Sequence, residues 1–215
     1  MTTKIYKYYL FDFDGTLVDS MPYYAKAMLQ ILDENGISYP EDIVKTITPL
    51  GYGGTADYYL DTFRLPLSRE ATVSRMLSLA KGHYELRVPL KEGVRETLIC
   101  LRERGASLNI LTASPHDVLD VCLRRLGVYD LFDNIWSCDD FQTTKANPDI
   151  YLEVAKRLHI TPDEYLFIDD NYHAVATAMK AGVPAYGIYD KSGEDFENAL
   201  REMADGYLTK LSDLL

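Results

Sequence analysis

Two carboxylates end the first apolar stretch of the sequence. In "YLFDFDGTLVDS", residues 9–20, Asp12 and Asp14 are separated by one phenylalanine and followed by Gly15. A buried carboxylate must be paired, hydrogen-bonded or neutralised, because burying a lone charge costs more free energy than packing returns. The pattern therefore predicts either a bound cation or a reaction at this point of the chain.

Polar residues also adjoin the later apolar stretches. Thr112, Ala113 and Ser114 follow "LNIL", Asp169 and Asp170 follow "YLFI", and Lys145 lies in "TTKANPD" before a helical pattern. If the sheet is parallel, these positions converge with Asp12 and Asp14 at one sheet edge. Carboxylates held that close raise one another's pKa, which predicts a cation among them. An all-oxygen ligand set suits Mg²⁺, which binds a few carboxylates together with a substrate phosphate.

The acidic residues are typical of phosphoryl transfer. Asp12 would attack phosphorus, and Asp14, lifted by the turn at Gly15, would protonate the leaving oxygen and later activate water. Asp170 would hold Mg²⁺. Asp169 would be either a second metal ligand or a residue that orients the ligands. The predicted metal ligands are thus drawn from Asp12, Asp14, Asp169 and Asp170.

The remaining residues would offset the negative charge of the phosphoryl group. Thr112 would donate its hydroxyl to a phosphoryl oxygen, assisted by loop N–H groups near Ala113 and Ser114. Lys145 would bridge the phosphate and Asp12, since a compact ammonium group suits phosphate.

Each signal also has a structural interpretation. A D-x-D pair, like the adjacent Asp169 and Asp170, can cap a helix or loop. A T-x-S before Pro115 is typical of a helix start. Most lysines are solvated, so Lys145 alone is weak evidence for a site. The prediction of a site rests on the conjunction of four such signals at the ends of strands in one parallel sheet.

The elements that must hold these residues alternate in the second part of the chain. The predicted strands are "ASLNILTAS", "NIWS", "YLFID" and "PAYGIYD", and the predicted helices cover about 94–105, 116–126, 148–158, 171–181 and 195–204. Short apolar strands between amphipathic helices favour an α/β fold. We expect a Rossmann-like parallel sheet with helices on both faces.

Between the first strand and this alternation the pattern is helical throughout. Helices are predicted at Pro22–Asn35, near Asp42, at Thr55–Phe63 and at Ser68–Glu85. This stretch is too long for a crossover, so it predicts a second, inserted domain. The predicted division is residues 1–18 and 89–215 for the α/β core and 19–88 for the helical domain.

Composition narrows the classes of partner. Of the 215 residues, 47% are hydrophobic, and the formal net charge is −11, which disfavours nucleic acid and anionic lipid as partners. The three cysteines have neither an even count nor a metal spacing, so we expect reduced thiols. No signal-peptide pattern precedes the first apolar stretch. We expect a cytoplasmic protein, a monomer or weak dimer, that acts on small diffusible molecules.

The pieces "DFDGTLVDS", "LTAS", "KANPDIY" and "FIDDN", in this order, resemble the four motifs of the haloacid dehalogenase-like superfamily. They are most similar to its members with a helical cap after the first motif, the group of phosphoglycolate phosphatase and β-phosphoglucomutase. The resemblance covers essentially the whole chain and implies the roles given above for Asp12, Asp14, Thr112, Lys145 and Asp170. It also implies the backbone carbonyl of Asp14 as a further Mg²⁺ ligand.

Three positions depart from the pattern of that superfamily. Ala146 replaces the first proline of K-P-x-P-D, Asp169 stands where Gly or Glu is usual, and Asn171 stands where Ser is usual. Asp is one methylene shorter than Glu, which leaves open whether Asp169 contacts the metal. None of these changes removes a reactive group.

Within the helical domain, "TPLGYGGTADYY" is the most unusual segment. Its glycines would let the backbone approach a ligand, with Tyr52 or Thr55 touching it, although a plain helix–helix loop is an equal interpretation. Tyr24, just beyond the first linker, would point at the substrate.

Together these features predict a Mg²⁺-dependent phosphatase that hydrolyses a small phosphate monoester, of the sugar phosphate or phosphoglycolate type, through an aspartyl-phosphate. A phosphomutase would need the same Asp12 and Asp14. A phospho-receiver also gathers acids, a threonine and a lysine, but receivers lack a helical domain after the first strand. A non-catalytic binding protein is the remaining alternative. A dehalogenase is disfavoured because its chemistry needs no metal.

Overall fold

The computed structural model describes residues 5–215. The chain divides into two compact units. One consists of the described residues up to Asp19 together with Pro89–Leu215, and the other is Ser20–Val88. The roles of catalytic core and cap for these units remain predictions.

The secondary structure alternates in one unit and is helical in the other. The helices are α1 (Met21–Glu34), α2 (Ile43–Ile47), α3 (Gly51–Phe63), α4 (Arg69–Leu86), α5 (Val94–Glu103), α6 (His116–Arg125), α7 (Asp149–Leu158), α8 (Tyr172–Lys180) and α9 (Glu197–Met203). The strands are β1 (Tyr8–Phe11), β2 (Ser107–Thr112), β3 (Asn134–Ser137), β4 (Tyr165–Asp169), β5 (Ala185–Ile188) and β6 (Gly206–Leu208).

The six strands found within residues 5–215 form one parallel sheet in the order β3-β2-β1-β4-β5-β6. The strand order reverses at β1, which pairs with β2 on one side and β4 on the other. In such doubly wound sheets the ligand crevice lies outside the carboxyl ends of the strands at the reversal point. Asp12 directly follows β1 and Asp169 ends β4, so both lie at this position. The predicted Rossmann-like α/β fold is confirmed.

The central strands are buried because helices cover the sheet. All five residues of β4 are buried, which is typical of a parallel strand covered on both faces. α8 packs against β4 and β5, and α5 packs against β2. The main core cluster combines strand and helix residues, among them Leu10, Leu111, Tyr151, Val154, Phe167, Val175, Ala178 and Leu200.

The helical unit has a core of its own. α1 contributes Met28, Ile31 and Leu32, whose spacing places them on one face of the helix. They pack with Tyr59 of α3 and Met76 of α4. α4 lies against both α1 and α3.

Three details differ from the predictions. Helix α3 begins at Gly51 rather than Thr55, because the low helix propensity of glycine concealed its first turn. Thr55 is fully buried and donates to the carbonyl of Ile47 at 3.1 Å, so its hydroxyl supports packing within the helical unit. Strand β6 was not predicted, since its three residues are too few to show an alternating pattern.

Within residues 5–215, no helix combines the length and the apolar character needed to span a bilayer.

Candidate active site

Asp12 is held at the edge of the sheet by both of the central strands. It follows β1 directly, and its backbone N–H donates to the carbonyl of Ile168 in β4 at 2.9 Å. The residue is 5% exposed. Its carboxylate is therefore fixed at the reversal point of the sheet, with little access to bulk water.

Lys145 joins two of the predicted site carboxylates. Its ammonium group donates to Oδ1 of Asp12 at 2.6 Å and to Oδ2 of Asp169 at 2.7 Å. Tyr151, fully buried in α7, places its hydroxyl 3.1 Å from the carbonyl oxygen of Lys145 and 3.0 Å from that of Ala174. The single hydroxyl proton serves one carbonyl at a time, and the contacts connect the loop of Lys145 to α8.

The charges in this cluster do not balance. Burial, together with repulsion from Asp169 and Asp14, raises the pKa of Asp12 to about 7 even though Lys145 lowers it. Burial alone would lower the pKa of Lys145, but the charges of Asp12 and Asp169 raise it well above its usual value. Burial and the neighbouring acids raise the pKa of Asp170 well above its usual range. The cluster therefore has more acid than the single lysine neutralises.

Three of these acids have the geometry and chemistry of a cation site. Asp12, Asp169 and Asp170 can each offer one carboxylate oxygen, and these oxygens lie within 4.8 Å of one another. The donors are all hard oxygens, as Mg²⁺ requires, and the surplus negative charge favours a divalent cation. The residues present therefore fit the predicted metal.

Asp169 is the least available of the three acids. Its Oδ2 accepts from Lys145, and its Oδ1 accepts from the backbone N–H of Asn171 at 2.7 Å. It is completely buried. The distances allow it to be a metal ligand, but both oxygens already have partners. The contact with Oδ2 holds the ammonium group of Lys145, and a direct contact of Asp169 with the metal stays a prediction.

Asp14 is close enough to raise the pKa of Asp12 but is not one of the three grouped acids. Its Oδ2 accepts from the hydroxyl of Ser114 at 2.5 Å. The hydroxyl oxygen of Thr112, at the end of β2, accepts the backbone N–H of Ser114 at 3.0 Å. Thr112 is buried and Ala113 is exposed at the turn. One oxygen of the Asp14 carboxylate is thus directed to Ser114 on the β2 side of the site, and the role of Asp14 as a metal ligand stays a prediction.

The turn after Asp14 packs tightly against Asp170. Gly15 has φ +75°, and a Cβ placed on it would lie 2.6 Å from Oδ2 of Asp170. The hydroxyl of Thr16 donates to Oδ1 of Asp170 at 3.3 Å. Glycine is required here both by the backbone angle and by the carboxylate beside it.

Tyr24 and Tyr52 belong to the helical unit. Their ring centroids are 4.8 Å apart, and both pack against the core of that unit. Burial raises the pKa of Tyr24 to about 12, so its hydroxyl stays protonated at neutral pH. These contacts explain both rings by packing, and their contact with substrate remains a prediction.

Three residues near the site, Lys91, Asp190 and Thr16, were not predicted from the sequence. The ammonium of Lys91 donates to the carbonyl of Gly15 at 2.5 Å and to Oδ2 of Asp190 at 3.0 Å. Asp190 follows β5 and is 7% exposed. Asp190 could have been predicted in the same way as Asp169, because it stands at the end of the predicted strand "PAYGIYD". Lys91 lies on no strand, and no local pattern marks it.

The fold and site together define an α/β enzyme with a lysine-linked acidic centre at the carboxyl edge of a parallel sheet. The model of the haloacid dehalogenase-like hydrolase family matches residues 9–188. The chain belongs to this family, and the predicted resemblance is confirmed.

Named relatives agree with this assignment. The chain is 27% identical to a phosphorylated carbohydrates phosphatase of Thermotoga maritima, covering 96% of this chain and 95% of the relative. It is 28% identical to a phosphoglycolate phosphatase of Escherichia coli, covering 83% and 79% respectively. A solved structure of a candidate β-phosphoglucomutase from Thermotoga maritima is 26% identical, with a TM-score of 0.83 over 97% of this chain and 96% of that one. The prediction of a phosphatase of this family is confirmed.

Proposed function

We propose that the protein is a Mg²⁺-dependent phosphatase that hydrolyses a small phosphate monoester through an aspartyl-phosphate. The observation that carries this proposal is the contact of Lys145 with Asp12 at 2.6 Å and Asp169 at 2.7 Å, beside Asp170. A lysine that offsets the charge of a buried aspartate lets that aspartate approach a phosphoryl group despite their like charges.

Asp12 is the proposed nucleophile. A carboxylate oxygen of Asp12 forms a bond to phosphorus as the bond between phosphorus and the ester oxygen breaks. Asp14 gives its proton to the departing oxygen, which leaves as an alcohol. The hydroxyl of Ser114, 2.5 Å from Oδ2 of Asp14, fixes the direction of that acid.

Hydrolysis of the aspartyl-phosphate reverses the role of Asp14. Now ionised, Asp14 takes a proton from water while the water oxygen bonds to phosphorus. The bond between phosphorus and the oxygen of Asp12 breaks, which releases inorganic phosphate and restores both carboxyl groups. Thr112 donates to a phosphoryl oxygen, because its hydroxyl oxygen already accepts the N–H of Ser114 and leaves its proton available.

Asp12, Asp170 and the backbone carbonyl of Asp14 are the proposed Mg²⁺ ligands. When bound, Mg²⁺ would supply positive charge beside the transferred phosphoryl group. The surplus acid around Asp12 and Asp170 supports this assignment.

The proposed substrate is a small phosphorylated metabolite of the sugar phosphate or phosphoglycolate type. The similarity to a phosphorylated carbohydrates phosphatase and to a phosphoglycolate phosphatase supports this class.

The test is phosphate release from a panel of small phosphomonoesters, with Mg²⁺ and with a chelator. Asp12→Asn removes the nucleophile, and we expect it to lower kcat by at least about 10³-fold. Asp130→Asn, at an exposed position of the same unit, is the matched control and should match the wild type. Metal-independent release, or full activity of Asp12→Asn, would contradict the proposal.

A phosphomutase is a second candidate, favoured by the structural similarity to a candidate β-phosphoglucomutase. In that case a sugar hydroxyl, not water, would take the phosphoryl group from Asp12. Product analysis distinguishes the two, since a mutase yields an isomeric sugar phosphate with little free phosphate.

A further inference from the structure

Lys91 lies shortly after the end of the helical unit at Val88. Its side chain hydrogen-bonds the turn at Gly15. Its ammonium donates to the carbonyl of Gly15 at 2.5 Å, to the carbonyl of Tyr189 at 2.6 Å and to Oδ2 of Asp190 at 3.0 Å. An ammonium has three hydrogens, so every donor of Lys91 has an acceptor. The side chain is 21% exposed.

The backbone around Lys91 is tied to the same turn. Its N–H donates to the carbonyl of Leu17 at 3.0 Å, and the N–H of Asp19 donates to the carbonyl of Pro89 at 3.0 Å. Val18 and Leu90 form an antiparallel bridge. The two segments that connect to the helical unit are therefore paired with each other directly beside the turn at Gly15.

The turn that Lys91 contacts has a backbone conformation that favours glycine. Gly15 has φ +75°, and its peptide lies against the carboxylate of Asp170. Within the turn, the amides of Gly15, Leu17 and Val18 donate to the carbonyls of Val18 and Phe13. Lys91 adds a charged hydrogen bond to the carbonyl of Gly15.

We propose that Lys91 is a positioning residue for the reaction: by holding the carbonyl of Gly15, it fixes the turn that presents Asp14 and packs against Asp170. This inference rests on the proposed function. Lys91 touches no reacting atom in the proposed mechanism and acts through the turn.

Lys91 contacts Asp190 as well as Gly15. A test must separate the effects of these two contacts. Asp190 is buried and its carboxylate accepts from Lys91 at 3.0 Å, so the lysine also neutralises a buried acid. If neutralisation were its whole role, removing both charges would restore activity. If it positions the turn, the double variant stays impaired.

The experiment compares Lys91→Met, the double variant Lys91→Met with Asp190→Asn, and Lys156→Met as a matched control whose side chain is 77% exposed. Amide hydrogen exchange of the metal-free proteins reports on the turn, and steady-state kinetics report on the reaction. We expect exchange at Gly15, Leu17 and Val18 to accelerate by about tenfold in both Lys91 variants, as loss of a charged hydrogen bond predicts.

We expect kcat to fall by about 10- to 100-fold in both Lys91 variants, with KM within about twofold, since the groups that hold phosphate are untouched. Lys156→Met should leave exchange and kcat unchanged. Unaltered exchange in the turn, or recovery of kcat in the double variant, would overturn the assignment. A wild-type protein that releases no phosphate would refute the proposed function alone, because the exchange measurement still tests the support of the turn.

Discussion

Two lysines contact opposite ends of the segment from Asp12 to Gly15, and their surroundings differ. Among the described residues, the ammonium group of Lys145 donates to two carboxylates, those of Asp12 and Asp169. Lys91 contacts two backbone carbonyls and one carboxylate, that of Asp190. The first arrangement balances charge at the reacting group, and the second holds backbone in place. The two lysines should therefore differ in how strongly their removal affects the reaction.

Of the changes that test this comparison of the two lysines, loss of Lys145 should have the largest effect on kcat. Lys145→Met leaves Asp12 and Asp169 buried without their shared cation, so repulsion of the phosphoryl group increases. We expect kcat to fall by about 10²- to 10³-fold, the usual cost of one preorganised donor. Steady-state kinetics with saturating Mg²⁺ measure this change in kcat. If kcat fell less in Lys145→Met than in Lys91→Met, the ranking of the two lysines would be reversed.

The substitution Gly15→Ala, which adds a methyl group at the turn, should have an intermediate effect. In Gly15→Ala the new Cβ would meet Asp170 at 2.6 Å, and the φ of +75° disfavours alanine. We expect a loss of about 1–2 kcal/mol in the free energy of unfolding from the backbone conformation alone. We also expect weaker Mg²⁺ binding, because Asp170 must move.

Denaturant unfolding and Mg²⁺ titration by calorimetry measure these two effects. Gly105→Ala is the matched control, since its φ is +81° and nothing lies within 4 Å of a Cβ there. Equal Mg²⁺ affinity in both variants would show that the contact with Asp170 is unimportant.

The smallest effect should follow loss of His116, whose contacts with two carboxylates lie outside the site and contribute to the free energy of unfolding. His116 lies 2.8 Å from Asp140 and 3.1 Å from Asp120, and these hydrogen bonds raise its pKa above 6.5. A raised pKa in the folded state stabilises the protein below the unfolded pKa, and the contribution is lost as pH rises through the folded value. Because the side chain is 42% exposed, we expect less than about 1 kcal/mol.

The measurement is the difference in unfolding free energy between the wild type and His116→Asn at pH 6 and pH 9. The difference should be larger at pH 6. A difference that grows toward pH 9 would contradict the assigned direction of the pKa shift.

The site residues that could be predicted from the sequence are those at the ends of strands. Asp12, Thr112 and Asp169 were found because each directly follows or ends an apolar strand, and parallel topology brings such positions together. Lys91 and the hydrogen bond between Ser114 and Asp14 were not found. These contacts join residues 76 and 100 positions apart in sequence, and no local pattern encodes such a distance.

The helical unit was harder to interpret. Tyr24 and Tyr52 were chosen for their positions, yet the structure explains both by packing against the core of that unit. An aromatic ring has the same sequence signature whether it packs or binds, so the pattern alone does not separate these roles.

By itself, the sequence determined the α/β class, the inserted helical stretch and the residue types gathered at the sheet edge, since periodicity and motif order are local properties. Only the tertiary structure decided which oxygen of each acid has a partner. It directed Asp14 to Ser114, occupied both oxygens of Asp169 and attached Lys91 to the turn at Gly15. The physical reason is that a hydrogen bond depends on side-chain direction to within tenths of an ångström, which packing sets and sequence spacing does not.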